Sequence, residues 1–188
     1  MRFALKDWAV TIEALAQGEQ VLIVRKGGIG EKTFALPHDR FFLFPTHLHQ
    51  RPDLVTDEGR ALFSETLARR EEPDELPLPA IAEIHGSFPL SDPGELAALR
   101  GLHILSEEYA TERLRWRPKH PLWAVVLRVH RLTLPPTIAL TPELGGCVSW
   151  VDLGRDLPEA PAEAALDDVA FAEAADLVEE RLSAARTG

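Results

Sequence analysis

The sequence predicts an α+β protein: one mixed or mainly antiparallel sheet, or a small barrel, flanked by helices and followed by a C-terminal helix. Three observations predict this class. Apolar, β-branched runs typical of strands recur near residues 20, 40, 82, 122 and 148. Stretches with helical periodicity separate some of these runs, but without a regular strand–helix alternation. The length of 188 residues, 45% of them hydrophobic, fits one domain or one domain with an appendage.

The first elements are a helix and two strands. The apolar residues of 4–16 recur at helical spacing, which predicts an amphipathic helix that ends at Gly18. Residues 20–26 and 40–46 are rich in β-branched and aromatic side chains, so we expect two strands there. The polar connection between them predicts a long hairpin.

A second helix and a loop follow. Residues 57–71 have the periodicity of a helix, with Leu62, Phe63 and Leu67 facing inward. The acidic stretch at 71–79 contains three prolines, which predicts an exposed loop or an internal linker.

The next strand is expected over 80–88. Asp92 then fits an N-cap, Pro93 the first helical position and Glu95 the partner in a capping box. We expect one or two helices from this point to about residue 115.

The C-terminal part begins with the strongest strand pattern, at 121–134, and a last strand is expected at 147–153. Residues 155–165 predict a flexible tether, and the final helix at 166–185 is acidic on its outer face. The predicted organisation is an α+β domain, residues 1–154, and an acidic linker with a C-terminal amphipathic helix, residues 155–188. The apolar stripe of that helix consists of Phe171, Ala174, Val178 and Leu182.

Composition excludes several classes of protein. The single cysteine, Cys147, excludes an internal disulfide framework and a cysteine-based zinc cluster. No apolar run is long enough to cross a membrane. Lys6 and Asp7 interrupt the apolar segment that a signal peptide would need, so we expect a cytoplasmic protein.

The net charge of −10 is unevenly distributed. Residues 71–99 contain seven acidic and no basic residues, and residues 136–188 contain eleven acidic and three basic ones. Residues 100–135 contain seven basic and three acidic residues. This segregation predicts a mildly basic face beside an acidic helix able to shield it.

Several catalytic motifs are absent. The segment from Gly27 to Thr33 lacks a phosphate-binding loop, because Glu31 separates its last glycine from Lys32. No lysine follows an acid at the spacing of common nucleases, and no Gly-x-Ser-x-Gly elbow is present. Cys147 has no base beside it in the sequence.

His47 and His49 lie two positions apart, so on a strand they would share a face. Three interpretations remain open at this point: a metal site completed by another histidine, a catalytic or ligand-binding histidine, and a structural role. No carboxylate or cysteine spacing supports the metal site, and the sequence identifies no cofactor. The histidines that would complete it are His38, His85 and His120.

Two basic segments are candidates for nucleic-acid binding. In the first, arginines alternate with other residues around Trp116, and an extended chain would put them on one side; arginine contacts phosphate and tryptophan stacks on a base. Its residues are Arg113, Arg115, Trp116, Arg117 and Lys119. The second, Arg25-Lys26-Gly27-Gly28, pairs two cations with glycine amides that can bind an anion. The alternatives are a solvated connector and a glycine-containing hairpin turn.

Five ordered segments together resemble an uncharacterised bacterial family, domain of unknown function 1802. They are ALKDWAVTIEAL, VLIVRKGGIGE, FFLFPTHLHQ, RPKHPLWAVVLRVHRL and GGCVSWVDL. The resemblance covers about residues 3–153, with the acidic tail outside it, and His130 stands where a tyrosine is expected. Some members accompany a restriction-endonuclease domain, so the resemblance implies a link to restriction–modification but no catalytic role. The positions that carry it are Arg25, Lys26, Gly27, Gly28, Glu31, Pro45, Thr46, His49, Gln50, Arg128, Cys147, Ser149 and Trp150.

Three functional hypotheses follow. The first is a nucleic-acid-associated accessory or binding protein in restriction–modification, defence or repair, whose basic residues contact the backbone of DNA or RNA. In it, a base or small ligand contacts Gly27, Gly28, Thr46, His49 and Gln50. The second is a metal-dependent phosphodiester or nucleotide hydrolase with Glu31, His47 and His49 at its site. The third is an interaction module whose acidic helix, residues 166–185, binds a basic protein or folds over the basic face of the chain.

Overall fold

A computed structural model describes residues 1–26, 34–68, 75–116 and 119–187. In these ranges, five helices accompany a seven-stranded mixed sheet and a separate two-stranded sheet. The helices are α1 (Ala9–Gln17), α2 (Asp57–Ala68), α3 (Pro93–Ala98), α4 (Glu107–Arg115) and α5 (Asp168–Thr187). The strands are β1 (Phe3–Trp8), β2 (Leu22–Arg25), β3 (Arg40–Thr46), β4 (Glu75–Pro77), β5 (Ala80–Leu90), β6 (Leu122–Leu132), β7 (Thr137–Ala139), β8 (Trp150–Asp152) and β9 (Ala162–Ala164).

The large sheet has the order β2-β6-β5-β3-β1-β8, with β9 beside β6. Only the described pair β1–β3 is parallel; the other pairs of this sheet are antiparallel. The sheet does not close into a barrel. The predicted α+β class is therefore confirmed, with an open mixed sheet.

The expected hairpin between the first two predicted strands is wrong. β2 pairs with β6, whereas β3 lies between β1 and β5. β6 is long enough to pair with both β2 and β5 and is buried over most of its length, so it takes a central position that separates β2 from β3.

The predicted first helix is wrong for its N-terminal half, which is strand β1. Ala4 and Leu5 are both fully buried, because β3 and β8 pair with the two edges of this strand and other elements cover its faces. α1 begins only at Ala9, and Gly18 ends it with φ +75° as predicted. At Gly18 a Cβ atom would lie 2.8 Å from the carbonyl oxygen of Ala165, so only glycine fits.

Two predicted loops contain strands. In the stretch predicted as a loop or linker, residues 71–74 lie outside the described residues, but β4 pairs with β7 and Leu78 is fully buried. The predicted tether contains β9, which pairs with β6, and Leu157, which is buried. Backbone pairing with a partner distant in sequence fixes segments that composition alone marks as flexible.

The helices differ from prediction in detail. Asp92 and Glu95 form the expected capping box, and two helices follow, α3 and α4. In α2, Leu67 is 43% exposed, so it does not face inward as expected. α5 packs its apolar stripe into the same core cluster as α3 and β6, with Ala175 more buried than Ala174. In the described part of the chain, no helix is long and apolar enough to cross a membrane.

Candidate functional site

A cleft of about 540 Å³ opens where β1 ends and α1 begins. Its other walls are the end of β2, the turn after β3, the loop before α4, α4 itself and the turn before β8. Cavities of this size accept small ligands. The change from strand β1 to helix α1 after residue 8 places Asp7, Trp8 and Thr11 in the lining of the cleft. A continuous helix over residues 4–16, as the sequence predicts, would not include this change of direction.

An ion pair crosses the cleft wall. Nη1 of Arg25 donates to Oδ2 of Asp7 at 3.2 Å, and Nη2 donates to Oγ of Ser149 at 2.9 Å. The two charged side chains are only 15% and 13% exposed, so this pair is better shielded from salt than a surface pair. These bonds fix the plane of the guanidinium at the end of β2.

Aromatic rings form the wall on the side of α4. Trp8 stacks on Tyr109 with ring centroids 4.7 Å apart, and the guanidinium of Arg113 lies 4.9 Å from the centroid of Trp116. Burial lowers the pKa of Arg113 and raises that of Tyr109. The guanidinium remains charged at neutral pH, because its ordinary pKa is so high. Among the described residues, no carboxylate forms an ion pair with Arg113.

The turn after β3 forms the outer edge. β3 ends at Thr46, after a proline that cannot donate to a sheet, so His47 and His49 lie beyond the strand and do not share a strand face. His49 has φ +62°, a left-handed conformation, and its Nε2 lies 3.8 Å from Sγ of Cys147. The fold therefore places an imidazole beside Cys147 that the local sequence does not show.

Three other histidines, His38, His47 and His85, make different contacts. Nδ1 of His47 lies 3.0 Å from Nε2 of Gln50, His38 stacks on Phe3, and His85 packs edge-on against an aromatic ring of α5. Within the described ranges, no three His, Cys, Asp or Glu side chains could hold a metal ion. The hydrolase hypothesis also invokes Glu31, which lies outside those ranges, and it stays a prediction.

Lys6 supports the turn that carries Cys147, and sequence reasoning missed it. It is 6% exposed, its Nζ donates to the carbonyl oxygens of Leu144 at 2.6 Å and Gly146 at 3.1 Å, and the ring of Phe44 lies 4.9 Å away. Burial lowers the pKa of Lys6. No sequence signal distinguishes this lysine, because a buried ammonium is recognised only from its acceptors.

Three buried side-chain atoms have no hydrogen-bond partner among the described residues, and all three belong to residues that line this cleft. They are Oγ1 of Thr11, Nε of Arg25 and Nδ1 of His103. Burial lowers the pKa of His103 to about 4, so its ring is neutral at pH 7. Such atoms are rare in folded proteins, and each one calls for an explanation.

Residues 4–176 match the family described as Domain of unknown function (DUF1802). The chain belongs to this family. The match confirms the resemblance and corrects its extent, because it continues past residue 153 into α5. Among curated proteins, none matches the chain. Among solved structures, the crystal structure of a mutant of the ZmASCH protein from Zymomonas mobilis is similar at 14% identity and a TM-score of 0.41, over 74% of this chain and 88% of that one.

In this DUF1802 domain, several predicted site residues meet in the cleft, although they come from distant segments. The predicted helix to about residue 115 is confirmed, because Ser106 caps α4 and the helix continues to Arg115. The one-sided array that an extended chain would give is therefore not formed by Arg113 and Arg115. Arg113 therefore lines the cleft, whereas Arg115 is exposed outside it. The predicted residues that line the cleft are Arg25, Thr46, His49, Arg113 and Trp116.

Other predicted residues lie elsewhere. Lys26 is 2% exposed and its Nζ donates to the carbonyl oxygen of Leu114 at 2.5 Å, so its charge stabilises the C-terminal end of α4. Gln50 contacts His47 and accepts a long hydrogen bond from the amide of Val10. Lys119 is exposed outside the cleft. Gly27, Gly28, Glu31 and Arg117 lie outside the described residues.

Proposed function

We propose that this protein binds nucleic acid, as an accessory or binding module, and that the ligand contacts the cleft described above. One observation carries the proposal: the fold brings Arg25, Arg113 and Trp116 into one cleft from segments that are distant in the sequence. Guanidinium groups bind phosphate, and aromatic rings stack on bases.

The local charge supports a polyanionic ligand, although the net charge of the chain is −10. Four basic residues and two acidic ones line the cleft, and one of the acids, Asp7, is already paired with Arg25. None of the described residues of α5 lines the cleft, so the acidic helix does not cover it. The acidic residues of α5 point away from the core, and the hypothesis that they bind a basic protein stays a separate prediction.

The side chains that line the cleft favour single-stranded over duplex nucleic acid. Binding of single strands combines cationic contacts to the backbone with stacking on aromatic side chains. The cleft offers both on one wall, where Arg113 lies against Trp116. We propose that DNA or RNA binds here as an unpaired segment; the link to restriction–modification, defence or repair stays a prediction from the family resemblance.

A salt titration with fluorescent oligonucleotides tests the proposal. We expect single-stranded DNA or RNA to bind at low salt and the affinity to fall as the salt concentration rises, because phosphate contacts release counterions. Arg113→Ala should weaken binding about tenfold or more, from the loss of a charged contact. Arg115→Ala is the matched control, because Arg115 lies on the same helix outside the cleft.

Two outcomes would contradict the proposal. One is the absence of binding to single- and double-stranded DNA and RNA at low salt. The other is equal weakening by the two arginine variants, since this would place the ligand on the general surface of α4.

A further inference from the structure

We propose that the inner part of the cleft holds one unstacked nucleobase, whose polar edge pairs with Thr11 and His103 while Arg25 and Arg113 hold the adjoining phosphates. This inference rests on the proposed function and names the group that enters the cleft. The observation behind it is that the three buried unpartnered side-chain atoms of the described chain all belong to residues of this one cleft.

The three atoms come from three separate elements, so no single local distortion explains them. Thr11 lies in α1, Arg25 at the end of β2, and His103 in the loop between α3 and α4. That loop is held in place, because Oε1 of Gln20 accepts from the amide of Ile104 at 3.1 Å. A buried polar atom without a partner destabilises the fold. The three residues line the same cleft, and a ligand that supplies the missing partners would explain all three atoms.

The chemistry of the innermost groups suits a neutral ligand with both donors and acceptors. Thr11 is 3% exposed and its hydroxyl both donates and accepts. His103 is 9% exposed, and of its two ring nitrogens Nδ1 is the one without a partner among the described residues. A phosphate offers only acceptors, whereas the edge of a nucleobase offers both kinds of group. The charged groups, Arg25 and Arg113, lie in the same cleft at positions able to contact phosphate.

The aromatic lining of the cleft suits a flat group. Trp8, Tyr109 and Trp116 contribute aromatic rings to it, and about 540 Å³ accommodates one nucleotide but no stacked duplex. A base enters such a cleft with the least unstacking energy from a single strand. The inference therefore assigns the phosphates to the arginines and the base to the uncharged buried groups.

The experiment compares two oligonucleotides of equal length, one of thymidines and one of abasic sites, at matched salt. We expect the base-containing strand to bind at least tenfold more tightly, with similar salt dependence for both, because the phosphates are the same. Thr11→Val removes one hydroxyl and should lower the affinity for the thymidine strand about fivefold to tenfold, with no effect on the abasic strand.

Two further variants keep the test independent of folding defects. Thr66→Val is the matched control, because Thr66 is also buried but lies outside this cleft and donates to the carbonyl oxygen of Phe63. His103→Leu tests the second polar group in case Thr11→Val does not fold, which circular dichroism would show. We expect Thr66→Val to leave both affinities unchanged and His103→Leu to act as Thr11→Val does.

The outcomes separate this inference from the proposed function. Equal, salt-dependent binding of thymidine and abasic strands overturns the base site and leaves nucleic-acid binding standing. A loss in Thr11→Val that is the same for both strands also overturns the base site. The absence of binding to either strand at low salt overturns the proposed function and, with it, this inference.

Discussion

Two clefts lie side by side on this molecule, and the larger one has fewer features of a binding site. The cleft described above is about 540 Å³, whereas its neighbour, between the end of β3 and the β4–β7 pair, is about 730 Å³. The larger cleft is lined by one basic and two acidic residues, and none of the three unpartnered atoms belongs to its lining. Much of its wall is apolar or proline: Pro45, Pro77, Pro79, Pro135, Leu140 and Leu144.

Lys6 lies at the boundary and lines both clefts. Its ammonium group donates to the carbonyl oxygens of Leu144 and Gly146, so the charge at this position stabilises the fold. In the smaller cleft, by contrast, Nε of Arg25 has no partner among the described residues, although Asp7 and Ser149 bind its other nitrogens. Unsatisfied polar groups and charge, more than volume, therefore distinguish a binding cleft from a gap between elements.

The largest expected effect is that a histidine of the smaller cleft, His103, makes the free energy of unfolding depend on pH. The pKa of His103 is about 4 in the folded chain and near 6.5 in the unfolded one, so the unfolded state binds the proton more readily. This contribution to stability is present above pH 6.5 and is lost as the pH falls toward 4. We expect a loss of about 2 kcal/mol in the free energy of unfolding between pH 7 and pH 5.

Urea unfolding at the two pH values measures this loss. His103→Leu should remove it, whereas His47→Ala, in the larger cleft, should not. Asp152, whose pKa the guanidinium of Arg2 lowers to about 2, affects stability only at more acidic pH. A pH profile that His103→Leu leaves unchanged would contradict the buried, neutral state of this histidine.

Substitutions in each cleft should have different effects on ligand affinity. Trp116→Ala should weaken binding of a single-stranded oligonucleotide about tenfold, because base–aromatic stacking contributes about 1–3 kcal/mol per base. Leu140→Trp partly fills the larger cleft, where Leu140 is 38% exposed, and should leave affinity unchanged. Fluorescence anisotropy measures both. The reverse result would move the ligand to the larger cleft.

The single cysteine gives a direct report of which cleft is occupied. Cys147 lines the smaller cleft but not the larger one. We expect a saturating oligonucleotide to slow alkylation of Cys147 by iodoacetamide several-fold, because the thiolate must be accessible to react. Mass spectrometry over time measures the rate, with urea-unfolded protein as the control. An unchanged rate at saturation would place the ligand elsewhere.

The sequence predicts the strands that lie in apolar runs, including the short β2 and β8, but it does not predict β1, β4, β7 or β9. β6 is recognisable from its β-branched run, whereas β1 satisfies a helical spacing, and only its pairing with β3 and β8 makes it a strand. The three-residue strands β4, β7 and β9 have no sequence pattern of their own. Tertiary pairing overrides local preference in each case.

Some residues of the candidate site are predictable from the sequence and others are not. Arg25, Arg113 and Trp116 are predictable because clustered cations and an aromatic residue are visible in a sequence. Thr11 and His103 are not, because a buried atom without a partner is defined by its neighbours in three dimensions. The contact between Cys147 and His49 likewise depends on two turns that are distant in the chain.

The smallest expected effect compares two buried threonines, one in each cleft. Oγ1 of Thr11 has no partner in the described chain, whereas Oγ1 of Thr66, in the larger cleft, donates to the carbonyl oxygen of Phe63 at 2.8 Å. Thr11→Val should therefore leave the free energy of unfolding unchanged or raise it by up to about 1 kcal/mol, and Thr66→Val should lower it by about 1 kcal/mol. Both changes replace one β-branched helical residue by another, so backbone preference cancels.

Urea unfolding without ligand measures both threonine variants. If Thr11→Val destabilises the chain as much as Thr66→Val does, the hydroxyl of Thr11 already has a partner in solution and is not available to a base. If Thr11→Val is neutral or stabilising while it weakens binding of the thymidine strand, the same hydroxyl is retained at a cost to stability. That combination is expected of a hydroxyl that binds a ligand. It would distinguish Thr11, in the smaller cleft, from Thr66, in the larger one, whose hydroxyl stabilises the fold.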